Sequence, residues 1–152
     1  MSRRDFLTKA LGGLVALLLA IPLIGALVAP LFRPAVERRW VEAGRVDDLP
    51  VLEPRPFRVS LPVGPPGDPW IDRGVFVVRG LDGNFVALLN ECTHLGCPVR
   101  WLPERGLYYC PCHRGYFNVM GYDVNGPPPR PLFRLRNRVV NGVLFVSNER
   151  EG

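Results

Sequence analysis

Charged side chains are confined to residues 1–9 at the start of the chain and then vanish from 10 to 32. That apolar run is long enough to cross a bilayer as one helix. Its glycines and prolines are tolerated in membrane helices. Residues 33–56 lose all regular period, and charges mix there with Pro34, Pro50, Pro54 and Pro56. The pattern predicts a tether or hinge over 33–56, with a short helix at 35–43 and Trp40 at the membrane interface; an ordinary loop packed on the head is the alternative. From Phe57 onward short apolar runs alternate with turn residues, the signature of strands. The candidate strands are 57–63, 74–79, 85–89, 107–109, 132–136 and 143–146. Residues 65–68 and 81–84 read as turns, and Asn141-Gly142 as a tight hairpin. No amphipathic helix of ordinary length follows residue 56. The expected architecture is one N-terminal transmembrane helix followed by a mostly antiparallel β head over 57–152.

Composition changes this picture only slightly. A head of this size has a modest core, and such domains often rely on a disulfide or a metal. The net charge is +5, from 19 Lys and Arg against 14 Asp and Glu. The basic residues are scattered without an aromatic-basic patch, so no nucleic-acid partner is expected. The basic pair Arg3-Arg4 precedes the apolar run, which places the N-terminus in the cytoplasm and the head outside under the positive-inside rule. Ala26 and Ala29 are three apart and do not form an Ala-x-Ala cleavage site, so an uncleaved anchor is expected. A cleaved signal is the alternative.

The candidate chemistry is concentrated in one place. All four cysteines and both histidines fall between residues 92 and 113, as Cys92-Thr93-His94-Leu95-Gly96-Cys97 and Cys110-Pro111-Cys112-His113. Thiolate and imidazole are strong transition-metal ligands. The spacings Cys-x-His and Cys-x-x-His are not those of zinc fingers, and a four-ligand zinc site leaves two cysteines over. Two thiolates and two imidazoles suit a two-iron, two-sulfide cluster with mixed ligation.

These residues resemble the Rieske iron–sulfur proteins, specifically the small subunit of quinol–cytochrome c reductases. Both motifs of that family occur intact, with fifteen residues between His94 and Cys110. The resemblance implies a Rieske-type head with a cluster-binding subdomain and one [2Fe-2S] cluster. It implies that Cys92 and Cys110 bind the buried iron and that His94 and His113 bind the outer one. It also implies a disulfide between Cys97 and Cys112, which suits an extracytoplasmic head and is unlike Rieske ferredoxins and ring-hydroxylating oxygenases. The tract Gly126-Pro127-Pro128-Pro129 resembles the proline lid over the cluster, stiffened by fixed φ angles. Leu95 resembles the residue that shields the cluster and lines the quinol contact; a plain core leucine is the alternative. Arg3-Arg4 followed by Phe6-Leu7 resembles a twin-arginine signal, which exports proteins already folded around a cofactor.

The implied function is membrane-bound electron transfer. One electron and one proton would pass from quinol, with His94 and His113 at the contact, and the electron would go on to a c-type haem. Cytochrome b and cytochrome c-type subunits are the implied partners, and the plasma membrane is the implied location. Two alternatives share the motif: the small subunit of an arsenite-oxidase-like molybdenum enzyme, and a free-standing tethered carrier. One departure from the family bears on tuning. The family often continues Cys-Pro-Cys-His-Gly-Ser-x-Tyr, whereas this chain has Arg114, Gly115, Tyr116 and Phe117. Gly115 and Phe117 lack the two hydroxyls that stabilise a reduced cluster. A potential near or below about +200 mV is expected, together with menaquinol as donor. Gly115→Ser is expected to raise it, and Arg114 offsets part of the loss.

Overall fold

The computed structural model describes residues 2–32, 38–62 and 69–150. The chain divides into two compact units, Met1–Ala35 and Val36–Gly152.

In the first unit, α1 spans Arg3–Val28 and ends in a 3₁₀ turn over Ala29–Phe32. Ser2 starts it: its hydroxyl accepts from the Asp5 N–H, and its own N–H donates to the Asp5 carboxylate. This capping box satisfies two N-terminal donors reciprocally. The helix therefore begins seven residues before the uncharged run and includes Arg3 and Arg4. At 1.5 Å per residue it is about 39 Å long, more than the hydrocarbon thickness of a bilayer. None of its residues is buried. An apolar surface of this extent suits lipid.

The second unit is built from two antiparallel sheets. The larger contains β1 (Trp40–Arg45), β2 (Arg55–Pro62), β3 (Trp70–Arg79), β4 (Phe85–Leu89), β9 (Arg134–Val140) and β10 (Val143–Arg150), in the order β1-β10-β9-β4-β3-β2. The smaller contains β5 (Arg100–Leu102), β6 (Leu107–Cys110), β7 (Gly115–Asn118) and β8 (Asp123–Asn125) in sequence order. In the larger sheet the edge strands β1 and β2 approach each other and nearly close a barrel. The register of β1 shifts between Glu42 and Gly44, and a Cβ at Gly44 would lie 2.9 Å from the Phe57 ring. Glycine at this bulge lets the two edges meet. Pro56 is accommodated because β2 is an edge strand.

The expected hinge over 33–56 requires correction. Residues 40–45 form a strand, and Val46 and Leu49 lie in the barrel core with Val59, Val75, Leu135 and Leu144. Burying each such side chain contributes about 1.5–3 kcal/mol, enough to hold this segment in the head. The helix expected at 35–43 is replaced by β1 over its described residues, and residues 33–37 lie outside the description. Trp40 opens β1 and carries the Arg138 guanidinium 4.5 Å from its ring centroid. The turn expected at 65–68 also lies outside the described residues. Asn141 and Gly142 both have positive φ, 50° and 77°, as a two-residue hairpin of the primed type requires.

A second core cluster lies against the smaller sheet and contains Phe76, Val78, Leu88, Cys92, Val99, Tyr108, Cys110, Phe117 and Leu132. It joins β3 and β4 to β6 and β7. Two of the four cysteines are part of that core.

Candidate metal centre

Two loops carry the cysteine and histidine residues, and each is fixed by short-range backbone bonds. In the first, the Cys92 N–H donates to the Cys97 carbonyl and the Gly96 N–H to the Cys92 carbonyl, both at 2.8 Å. Gly96 has φ 78°, which permits this tight reversal. The Asn90 side chain holds the loop's exit, accepting from the Val99 N–H at 2.7 Å. The second loop is the turn between β6 and β7, closed by the pairing of Cys110 with Gly115. Arg114 occupies this turn at φ 57°, a left-handed conformation that costs a non-glycine residue about 1 kcal/mol.

The structure joins the loops through a disulfide between Cys97 and Cys112. The Sγ atoms of Cys97, Cys110 and Cys112 lie within 4.8 Å of one another, yet two of these sulfurs are bonded together and are not thiolates. The free thiols are Cys92 and Cys110, both buried. Burial pushes the Cys92 thiol up and neighbouring Cys110 adds to the rise, while the backbone N–H groups of His94 and Leu95 pull it down. A buried, adjacent pair of thiols is a poor place for two negative charges unless a cation shares it.

The imidazoles complete the set. The rings of His94 and His113 are edge to face with centroids 4.8 Å apart. His113 is exposed and His94 half-buried. Nδ1 of His94 is buried and has no hydrogen-bond partner. An orphaned buried ring nitrogen on a loop that also carries a buried free thiol fits a metal–sulfur group, which takes its electron pair in place of a donor. Two soft sulfur ligands and two imidazoles are the donors of a [2Fe-2S] centre with mixed ligation.

A third loop packs on both of these loops. Gly126 has φ 99°, and a Cβ there would lie 2.6 Å from the Arg114 carbonyl oxygen, so glycine lets the proline tract approach the second loop. Pro127 and Pro129 are exposed, whereas Pro128 is buried against Gly115. Thr93 ties the first loop to the lid, its hydroxyl donating to the Arg130 carbonyl at 2.6 Å. Thr93 and Asn90 are functional residues that motif reading passes over. Their signal is a hydrogen-bonding side chain inside or beside a metal loop. Leu95 is 70% exposed, which removes its core alternative. Phe117 is fully buried opposite Tyr108.

The packing at Gly115 corrects the expectation for Gly115→Ser. A Cβ at this position would lie 2.6 Å from Cγ and 2.9 Å from Cδ of Pro128, so the lid must move before a serine fits. Gly115→Ser alone should displace the lid and destabilise the protein. Gly115→Ser with Pro128→Ala removes both clashing atoms and should restore stability. It should also raise the potential by about 40 mV, the equivalent of about 1 kcal/mol of net hydrogen bonding. Voltammetry and melting of both variants test this; a single variant that melts like the parent contradicts the steric argument.

Residues 39–138 match the Rieske [2Fe-2S] domain. The chain is 30% identical to the menaquinol:cytochrome c reductase iron-sulfur subunit of Geobacillus thermodenitrificans, over 97% of this chain and 91% of that one. It is 28% identical to the cytochrome b6-f complex iron-sulfur subunit of Chlorobaculum thiosulfatiphilum, over 95% and 75%. Among solved structures it resembles the cyanobacterial plasma membrane Rieske protein of Synechocystis PCC 6803, with a TM-score of 0.54 and 30% identity over 70% of this chain and 97% of that one.

Proposed function

The chain belongs to the Rieske [2Fe-2S] family, and from that premise we propose that it takes an electron and a proton from a quinol, of the menaquinol type, and passes the electron to a c-type haem. It is a membrane-tethered Rieske electron carrier, the electron-transfer subunit of a quinol–cytochrome c oxidoreductase-like complex. The observation that carries the proposal is the pair of adjacent imidazoles, one exposed and one half-buried, on the same two loops as two buried free thiols.

In this reading Cys92 and Cys110 would hold one iron of the cluster, and His94 and His113 would hold the other. The cluster, when bound, supplies a one-electron acceptor. The outward Nε2 of a deprotonated imidazole accepts the quinol hydroxyl hydrogen bond and then its proton. Of the two protons and two electrons that quinol gives up, one proton would go to Nε2 and one electron to this subunit, the second electron passing to the proposed cytochrome b partner. The proton would then leave Nε2 for solvent, and the electron would pass on to the c-type haem. The exposed Leu95 side chain beside His94 offers apolar surface to the quinone ring. The Cys97–Cys112 bridge and the lid of Pro127, Pro128 and Pro129 limit water at the inner iron. Gly115 and Phe117 supply no hydroxyl donors, which supports a low potential matched to menaquinol.

The proposed partners are cytochrome b and cytochrome c-type subunits, in line with what the relatives' names state of those proteins. Solubilising the full chain from native membranes should bring b- and c-type haems with it. Copurification of a molybdenum-containing subunit, or of no partner, would replace this reading.

The proposed topology is a single pass through the plasma membrane, with residues 1–9 cytoplasmic and the head outside. Arg3→Lys with Arg4→Lys keeps the charge and should block export by the twin-arginine route. The wild-type mature protein should retain its N-terminus and resist high-salt washing. Undiminished export of the double variant, or a mature chain starting beyond residue 30, contradicts the respective half of this proposal.

A further inference from the structure

A cleft of about 480 Å³ opens on the head, lined by Tyr122, Arg130, Leu132, Phe133, Arg134 and Arg150 among others. Three of these side chains are guanidiniums and none is a carboxylate. Among the described residues, Arg130, Arg134 and Arg150 pair with no acid; the ion pairs use Arg38, Arg45, Arg55, Arg73 and Arg136 instead. Aromatic rings hold the three in place. Arg130 and Arg150 lie 5.0 Å and 3.7 Å from the same Phe133 ring centroid, and Arg134 lies 4.7 Å from that of Tyr122. One Arg134 nitrogen also donates to the Met120 carbonyl at 3.1 Å.

Two cations held on one ring with no acid beside them repel each other, and an anion placed between them relieves that repulsion. A guanidinium held over a ring by its cation–π contact has further N–H donors with which to recognise planar or tetrahedral oxyanions. Leu132 and Phe133 add apolar surface to the lining. We propose that this cleft binds an oxyanion, a phosphate or carboxylate group with an apolar portion beside it. The site is separate from the metal loops but adjoins the lid, because the Arg130 carbonyl holds Thr93.

Arginine modification by phenylglyoxal, read residue by residue by mass spectrometry on the cluster-loaded full chain, tests this. Inorganic phosphate at ten times its dissociation constant should slow modification of Arg130 and Arg134 by about tenfold relative to chloride of equal ionic strength. The exposed Arg105 should react equally in both. A second arm compares the chain in phosphatidylcholine nanodiscs with and without phosphatidylglycerol. Protection by free phosphate identifies a soluble oxyanion, and protection only with phosphatidylglycerol identifies a lipid headgroup; either supports the site. Equal rates in all conditions overturn it. Arg130→Gln with Arg150→Gln should abolish protection at Arg134 and leave the reduced-cluster EPR signal unchanged, since Thr93 binds a backbone carbonyl. Should that variant lose its cluster, Arg134→Gln with protection read at Arg130 takes its place. Protection that persists in the folded variant also overturns the proposal.

Discussion

His94→Ala and His113→Ala should each reduce iron and acid-labile sulfide from about two per chain to near zero, with loss of the Rieske EPR signal. Each substitution removes one of only two imidazoles. The position left open faces outward: His113 is exposed and His94 half-buried. Water therefore reaches the iron left with a single imidazole, and an iron so weakly held by protein is readily lost. The head itself should stay folded, because neither histidine belongs to the two core clusters. Circular dichroism of the apo variants should show the β signature of the parent. Cys92→Ser and Cys110→Ser should lose the cluster too, and these should also lower the melting temperature, since both thiols are core residues. Full cluster content in either histidine variant would remove that residue from the ligand set.

Cys97→Ser should lower the melting temperature by roughly 10 °C or more. The two cysteines of the bridge are 15 residues apart. Closing a loop of that length in the unfolded chain is worth about 3 kcal/mol in the chain-entropy account. The bridge also ties the first loop to the second, so its loss should shorten the lifetime of the cluster. All four proposed ligands remain in this variant, which separates the effect from loss of ligation. A thiol reductant should lower the melting temperature of the parent but leave that of Cys97→Ser unchanged. An unaltered melting temperature and cluster lifetime would mean that the bridge carries no structural load. Its persistence also requires an oxidising compartment, consistent with a head placed outside the cytoplasm.

The parts of this fold that sequence makes legible are those governed by short-range rules. Phe85–Leu89 is a continuous apolar run bounded by a turn, and β4 has those limits. Asn141-Gly142 forms the hairpin between β9 and β10 because both residues tolerate positive φ. The metal loops are legible because ligand types and spacings are themselves the chemistry. What escapes is long-range. β1 places two half-buried positions before each exposed one around a bulge, so its period is broken, and its strand character comes from pairing with β10. β5 and β8 have three residues each, too few to show any period. The clash between Pro128 and a Cβ at Gly115, and the bond from Thr93 to Arg130, join residues 13 and 37 positions apart. No local pattern announces either. The same holds for the arginine cleft, whose arginines are scattered from Arg130 to Arg150 and meet only around Phe133 and Tyr122.

The central claim is that two cysteines and two histidines of this chain ligate one [2Fe-2S] cluster. Pulsed EPR of the dithionite-reduced full chain, with histidine labelled by ¹⁵N, tests it most directly. Because the chain has only His94 and His113, every strong ¹⁵N coupling belongs to one of them. Two inequivalent, strongly coupled histidine nitrogens are predicted. A cluster with no strong histidine coupling, or stoichiometric zinc without iron in protein made with intact cluster assembly, would contradict it.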